Sequence, residues 1–333
     1  MEKTLLLEEY EVKKLLSMKE VMEAVELAFK EKGLKRVQMP PKLYLFYTKY
    51  NGDLRVMPSY LESLDISAVK IVNVHPNNKA NYGLPTVMAI IALINPKNGF
   101  PIALMAGSWI TAMRTGAAGG IAAKYLARKD SSIIALIGAG TQARTQLMAL
   151  IEVYKKLKEV RVWDISEKAK NEFIAEAKLM YSEKIEKIFS TNTAEEAVKG
   201  SDIIVTTTPS RNPIVMNDWI DKGMHINCIG ADAPGKQELD PAILKRSKIV
   251  IDDWNQASHS GEINVPLAKG IISKKDIWAE IGEICAGLKQ GRMDNEEITI
   301  FSSTGLAIQD AVTAELVYKK ALKNHIRKFI ELV

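Results

Sequence analysis

The sequence predicts an α/β protein: a doubly wound, parallel-sheet domain inserted into a discontinuous α+β domain made from both chain ends. Three observations predict it. An apolar, β-branched run closes on a tight glycine turn, Gly138-Ala139-Gly140-Thr141-Gln142-Ala143, and a helical segment follows. Apolar runs then recur near 160–163, 186–189, 202–206, 225–229, 248–251 and 298–301, most of them separated by helical stretches, as in a parallel sheet. The first third reads differently, as hairpins with one amphipathic helix.

In order along the chain, Ser17-Met18-Lys19-Glu20 is a capping box that opens the amphipathic helix MKEVMEAVELAFKEK, and Gly33 ends it. LYLFYTKY and LRVMPSY flank Asn51-Gly52, a hairpin signal. SAVKIVNV follows, and TVMAIIALI and FPIALM flank the turn Asn95-Pro96-Lys97-Asn98-Gly99. These runs predict a mainly antiparallel sheet. TAMRTGAAGGIAAKYLA is a helix rich in small residues, suited to close packing. The last segment, TGLAIQDAVTAELVYKKAL, is a long amphipathic helix that returns to the N-terminal unit. The expected boundaries are 1–114 with 305–333 for the discontinuous domain and 115–304 for the inserted one. No internal repeat or low-complexity linker interrupts them.

At 333 residues the chain is long enough for two domains, each with its own core. Its 47% hydrophobic and 26% charged content are ordinary for a globular chain. The net charge of +5 comes from Lys and Arg interspersed with acids, and clusters such as Lys155-Lys156-Leu157-Lys158 read as solvated helix faces. No basic stripe interleaved with aromatics suggests a nucleic-acid partner. Cys228 and Cys285 lie far apart, against a disulfide framework or a zinc site, and no metal is expected. The opening MEKTLLLEEYEVKKLL is too charged for a signal peptide and no apolar run reaches membrane-spanning length, so the expected compartment is the cytoplasm, with no membrane partner.

Strand, glycine turn, helix, second strand and terminal acid form the dinucleotide-binding fingerprint. Gly138 permits the turn, Gly140 admits a pyrophosphate to the backbone, and Ala143 stands where helix and strand pack closely. The N–H groups of Thr141, Gln142 and Ala143 would receive the pyrophosphate, aided by the helix dipole. Asp164, 26 positions after Gly138, would accept hydrogen bonds from the adenosine ribose. Its charge would repel a phosphate there, and Ile165 and Ser166 bring no arginine. That favours NAD over NADP, with Arg144 and Lys168 the cations that could reach round.

Single residues add candidates. Lys70 interrupts the apolar strand SAVKIVNV, so it either points inward or lies at a sheet edge. Buried, its ammonium would be costly and its pKa would fall toward the range useful for proton transfer. Asp232, in INCIGADAPGKQEL, lies just past an apolar strand, where parallel sheets place ligands; a turn-forming role is the alternative. Thr207, Thr208 and Pro209 end another strand, and Ser303 and Thr304 close the last one. His75, in NVHPNN, is expected near a pocket, whereas His225 and His259 read as structural. No HExxH, GxSxG, GKS/T or paired-cysteine motif offers a rival chemistry.

MPPKLYL, DLRVMPSY, VKIVNVHPNN, GLPTVMA, MRTGAAGGIAAKYLA, IGAGTQA, TTTPS, HINCIGADAPGKQEL and STGLAIQD occur in this order. Together they resemble the ornithine cyclodeaminase/mu-crystallin family, and the texture is most similar to its archaeal alanine dehydrogenase branch. The resemblance implies a homodimer, a Rossmann NAD-binding domain, a substrate and dimerisation domain from both chain ends, and nicotinamide chemistry at an amino-acid Cα–N bond. It implies that Lys70 is the general acid/base and touches the substrate carboxylate, and that Asp232 lies by the substrate amine. Arg55, with its fork of parallel donors, is the expected carboxylate clamp, supported by Lys42. Arg114 and Thr115 are expected at the cofactor phosphates or between cofactor and substrate. Thr207, Thr208, Pro209, Gly230, Ala231, Asp232 and Ser303 are expected along the nicotinamide side. The expected reaction is oxidative deamination of L-alanine to pyruvate and ammonia. The alternatives are cyclodeamination of L-ornithine to L-proline and, in another class, a non-catalytic binding protein of the mu-crystallin kind.

Overall fold

Between Thr115 and Gly305 the recurring apolar runs assemble into one sheet of eight strands. Its order is Ile185–Ser190, Leu157–Trp163, Ile133–Ile137, Ile203–Thr206, His225–Cys228, Thr299–Ser302, Lys248–Ile251 and Ile277–Glu280. Each neighbouring pair runs parallel. The computed structural model describes residues 3–332.

Burial on both faces explains the continuous apolar runs. Ala135 and Ile137 point into one core with Ile204, Ile226 and Ile249. Ile134 and Leu136 point into the other with Val160, Val162, Ile203 and Val205. The first strand of this unit, Ile133–Ile137, lies inside the sheet, and the direction of winding reverses between it and Ile203–Thr206. That reversal is a topological switch point, outside whose strand ends such sheets take their ligands. The small residues of helix Ser108–Leu126 allow the predicted close approach: the Gln146 amide reaches the Thr115 carbonyl at 2.9 Å, and Asn227 reaches the Gly119 carbonyl at 3.0 Å. The edge strand Ile277–Glu280 is an addition to the predicted set.

The other unit runs to Arg114 and resumes at Leu306. Its sheet is ordered Phe329–Ile330, Thr4–Leu7, Pro101–Ala106, Val87–Ile94, Ile66–Val74, Gly52–Leu61 and Val37–Gln38, with Leu43–Tyr47 also on Gly52–Leu61. Pairing is antiparallel except where Thr4–Leu7 meets Pro101–Ala106. Helices Met18–Gly33 and Ala307–Lys323 pack together, and the second lies over strands Gly52–Leu61, Ile66–Val74 and Val87–Ile94. Ser17 caps the first helix at the Glu20 amide, but the Glu20 carboxylate also turns to Lys320 Nζ at 2.8 and 2.9 Å.

Alternation makes the two faces of this sheet different. Met57, Lys70, Ile91 and Met105 form one row across four strands on the buried face. Leu43, Val56, Ile71 and Ile90 form a row on the opposite face. There Leu43 is 59% exposed and Ile90 49% exposed.

Candidate functional site

Lys70 lies mid-strand on the covered face, 1% exposed, so it points inward rather than snorkelling at an edge. The first turn of helix Ala307–Lys323 meets it with Asp310, whose Oδ2 is 2.7 Å from Lys70 Nζ. Oδ1 of the same carboxylate accepts from Arg114 Nε at 3.0 Å, and Gln309 Oε1 accepts from Arg114 Nη1 at 3.0 Å. All three charged groups are buried. One carboxylate thus serves two cations, and the cluster keeps a positive excess. Burial drives the Lys70 pKa down to about 7; the Arg114 guanidinium pushes the same way, Asp310 opposes, and Lys42 adds a smaller push downward.

Arg55 and Tyr44 share this face. The expected clamp is already closed on Asp53, with Nε to Oδ1 at 2.8 Å and Nη2 to Oδ2 at 3.1 Å, and its guanidinium lies 5.3 Å from the Tyr44 ring centroid. An incoming carboxylate therefore competes with Asp53 for the fork. Lys42 is half-buried and close enough for Lys70 to feel its charge. His75 lines a hollow of about 730 Å³ with Asn73, Asn78, Tyr82 and Met88, and Lys70 and Arg114 do not line it. Sequence reasoning missed Asp310, Gln309 and Asp53. The available signal was the polar pair Gln309-Asp310 inside a helix turn that is otherwise apolar and buried.

In the parallel-sheet unit, Gly138 has φ of +104°, which favours glycine, and its amide donates to the Trp163 carbonyl at 2.8 Å. Asp164 fastens the glycine turn, its Oδ2 accepting from the Ala139 amide and Oδ1 from the Ser166 amide, both at 2.8 Å. Helix Thr141–Val153 starts directly after Gly140, with Ala143 buried as expected. Arg144 is committed elsewhere: it holds Glu176 at 2.5 and 3.0 Å and the carbonyls of Ala139 and Gly140. Lys168 pairs with Glu172 at 3.8 Å on the surface. Both cations thus already have carboxylate partners.

The donor set fits a dinucleotide. A Cβ on Gly140 would meet nothing within 4 Å, leaving open space beside the first helical amides. The buried Ser303 hydroxyl has no hydrogen-bond partner among the described residues, and it stands at the end of strand Thr299–Ser302.

Most of the remaining candidates lie at or just past strand ends of this unit. The Thr208 amide and hydroxyl donate to Glu238 at 2.6 and 2.8 Å, and the Gly230 amide donates to Glu238 at 2.9 Å. These donors face the protein and act as scaffold. Thr207 bonds the Ile137 carbonyl at 3.3 Å, Pro209 is exposed, and Ala231 is buried. Asp232 is partly exposed and ion-paired with Lys236 at 2.5 Å. Thr304 is bound by Asp252 through its amide at 2.5 Å and its hydroxyl at 3.0 Å. His225 is buried between Thr299 and Asn227, and burial holds its pKa down to about 3, so it stays neutral; His259 is exposed.

The sequence model of the ornithine cyclodeaminase/mu-crystallin family matches residues 2–325. The chain belongs to that family. An alanine dehydrogenase of Archaeoglobus fulgidus is 53% identical over 97% of both chains. Among solved structures, an archaeal alanine dehydrogenase dimer with bound NAD superposes with a TM-score of 0.94 at 51% identity, covering 99% of this chain and 100% of that one. The Δ1-pyrroline-2-carboxylate reductase of Thermococcus litoralis, in complex with NADH and L-proline, gives a TM-score of 0.93 at 44% identity and the same coverage. Family membership agrees with the resemblance drawn from the ordered motifs.

Proposed function

We propose that this member of the family is an NAD-dependent oxidoreductase that deaminates L-alanine reversibly to pyruvate and ammonia. The observation that carries the reading is the buried Lys70–Asp310–Arg114 cluster, with Lys70 held near neutral pKa and Lys42 and Arg55 nearby. Such a set binds a carboxylate and exchanges a proton at working pH. The similarity to alanine dehydrogenases and a pyrroline-carboxylate reductase supports the class of reaction.

In this reading Arg55, Lys42 and Arg114 hold the substrate carboxylate, and Lys70 Nζ in its neutral form takes a proton during deamination. Asp232 takes the proton from the substrate ammonium and then steadies the iminium, which water converts to pyruvate and ammonium. The amides of Thr141, Gln142 and Ala143 hold the pyrophosphate, Asp164 the adenosine ribose and Ser303 the carboxamide. Bound NAD supplies the acceptor for the hydride leaving the substrate Cα.

The charges favour a small neutral side chain over ornithine. Asp53 is engaged by Arg55, and Asp310 by Lys70 and Arg114, so a distal ammonium would enter a field already dominated by cations. The partly exposed apolar row Leu43–Val56–Ile71–Ile90 is the surface we assign to a second copy of the chain, in keeping with the dimeric relative.

Purified protein with NAD and L-alanine should form NADH steadily, and Lys70→Ala and Asp232→Ala should each abolish turnover while NAD still binds. Proline and ammonia from ornithine without net NADH would make it a cyclodeaminase instead. NADH oxidation by Δ1-pyrroline-2-carboxylate, with no reaction on alanine, would make it an imine reductase.

A further inference from the structure

Two carboxylates that the proposed reaction does not use, Glu238 and Glu262, are fully buried beneath the turn that carries Asp232. Glu238 collects four donors. Its Oε2 accepts from Thr206 Oγ1 at 2.8 Å and the Gly230 amide at 2.9 Å, while Oε1 accepts from the Thr208 amide at 2.6 Å and Oγ1 at 2.8 Å. These donors belong to the ends of two adjacent parallel strands, Ile203–Thr206 and His225–Cys228. One carboxylate therefore ties together the turns that follow these two strands, Thr207-Thr208-Pro209 and Gly230-Ala231-Asp232. The seat is closely fitted: a Cβ on Gly230 would lie 2.1 Å from the Thr208 carbonyl oxygen and 2.6 Å from Glu238 Oε1. Glu262 supports the clamp from below, its Oε1 accepting the amides of Glu238 and Leu239 at 3.0 and 2.8 Å.

We propose that Glu238 is a positioning residue for Asp232, an ionised clamp that fixes the turn bearing that aspartate, while Glu262 carries the pair's proton. The inference rests on Asp232 acting at the substrate amine. The division of charge follows from the donors. Backbone N–H groups can only donate, and one of them faces each oxygen of Glu238 with a hydroxyl beside it, so both oxygens are already set as acceptors and a proton is disfavoured there. Among the described residues Glu262 Oε2 meets only the Glu238 amide, at 3.1 Å, and has room to carry one. Burial pushes the pKa of both groups upward, and the neighbouring Glu238 charge drives Glu262 further. Holding Asp232 in place matters because misplacing a reacting group by about 1 Å costs on the order of 100-fold in rate.

Glu238→Gln and Glu262→Gln separate the two roles. Gln at 238 must present an NH2 group to either Thr208 or Gly230, whose backbone amide then loses its acceptor. Gln at 262 keeps a carbonyl oxygen for both amides it serves. In cofactor-free protein, amide hydrogen exchange at Thr208 or Gly230 should quicken by at least about tenfold in Glu238→Gln and stay within about twofold in Glu262→Gln. In turnover, kcat should fall by at least about tenfold in Glu238→Gln, with NADH affinity within about threefold, because Gly138–Asp164 holds the adenosine half. Glu262→Gln should keep its kcat. Should Glu238→Gln fail to fold, Thr206→Val removes one donor of the four and should lower kcat by about threefold with the same exchange signature. Unchanged exchange and kcat in Glu238→Gln, or equal losses in both glutamine variants, would overturn the proposal. The exchange arm needs no substrate, so it stands apart from the identity of the amino acid. Quickened exchange with unchanged kcat would refute Asp232 as the positioned group.

Discussion

Lys70 feels opposed forces, and each has a removable source. Burial and Arg114 drive its proton off, whereas Asp310 holds it on. Deamination needs the neutral amine, so kcat/KM should rise with pH and level off above about 7, where the proton leaves. Asp310→Asn removes the charge that retains the proton, and the rising limb should move acidward by about one pH unit. Arg114→Met removes a charge that expels it, and the limb should move alkaline by about as much. Profiles of kcat/KM against pH for the three proteins test this, and shifts of the same sign in both variants would contradict it. Lys70 itself was legible as a lone ammonium in an apolar strand. Its counter-charge was harder to read, because Asp310 lies far along the chain and the polar pair Gln309-Asp310 marks an unusual helix turn without saying which cation it meets.

Among the elements, strands buried on both faces were the most legible, since continuous β-branched runs have few other uses. Thr4–Leu7 and Ile277–Glu280 were not legible: the first is a short run among charged residues, and the second, IWAE, has only one buried residue where the other four-residue strands are almost wholly buried. The fingerprint turn was also plain, because Gly138 and Asp164 declare their positions by type. The Glu238 clamp was hidden, since an acid following GADAPGKQ looks like any loop charge until its four donors converge. Stability should follow burial rather than visible charge pairing. Phe301, fully buried in the strand Thr299–Ser302, should cost about 3–5 kcal/mol when changed to Ala. Lys320→Ala, which breaks a partly exposed pair with Glu20, should cost less than about 1 kcal/mol. Denaturant titration of the two variants measures both, and a larger loss in Lys320→Ala would reverse the order of these terms.

At the scale of the whole molecule, the outer sheet row is the surface we propose for assembly. If a second copy covers it, Ile90→Glu should yield a folded monomer, because the new charge would have to be buried unpaired in the contact. Sedimentation velocity reads this directly, and an unchanged dimer would move the interface elsewhere. A dimer is expected only through resemblance, since period-two alternation shows that a face is apolar and not what lies on it.

The division of the chain also has a consequence for its birth on the ribosome. All but one edge strand of the sheet that holds Lys70 is translated within the first 106 residues, but the helix that covers it begins at Ala307. The intervening 191-residue nucleotide unit, Thr115–Gly305, emerges first and can fold on its own schedule, while the earlier strands wait with a bare apolar face and an unneutralised ammonium. The nascent protein is thus most exposed to misassembly late in synthesis, and a stop codon placed just before Leu306 would leave the inserted unit whole and the unit around it unfinished.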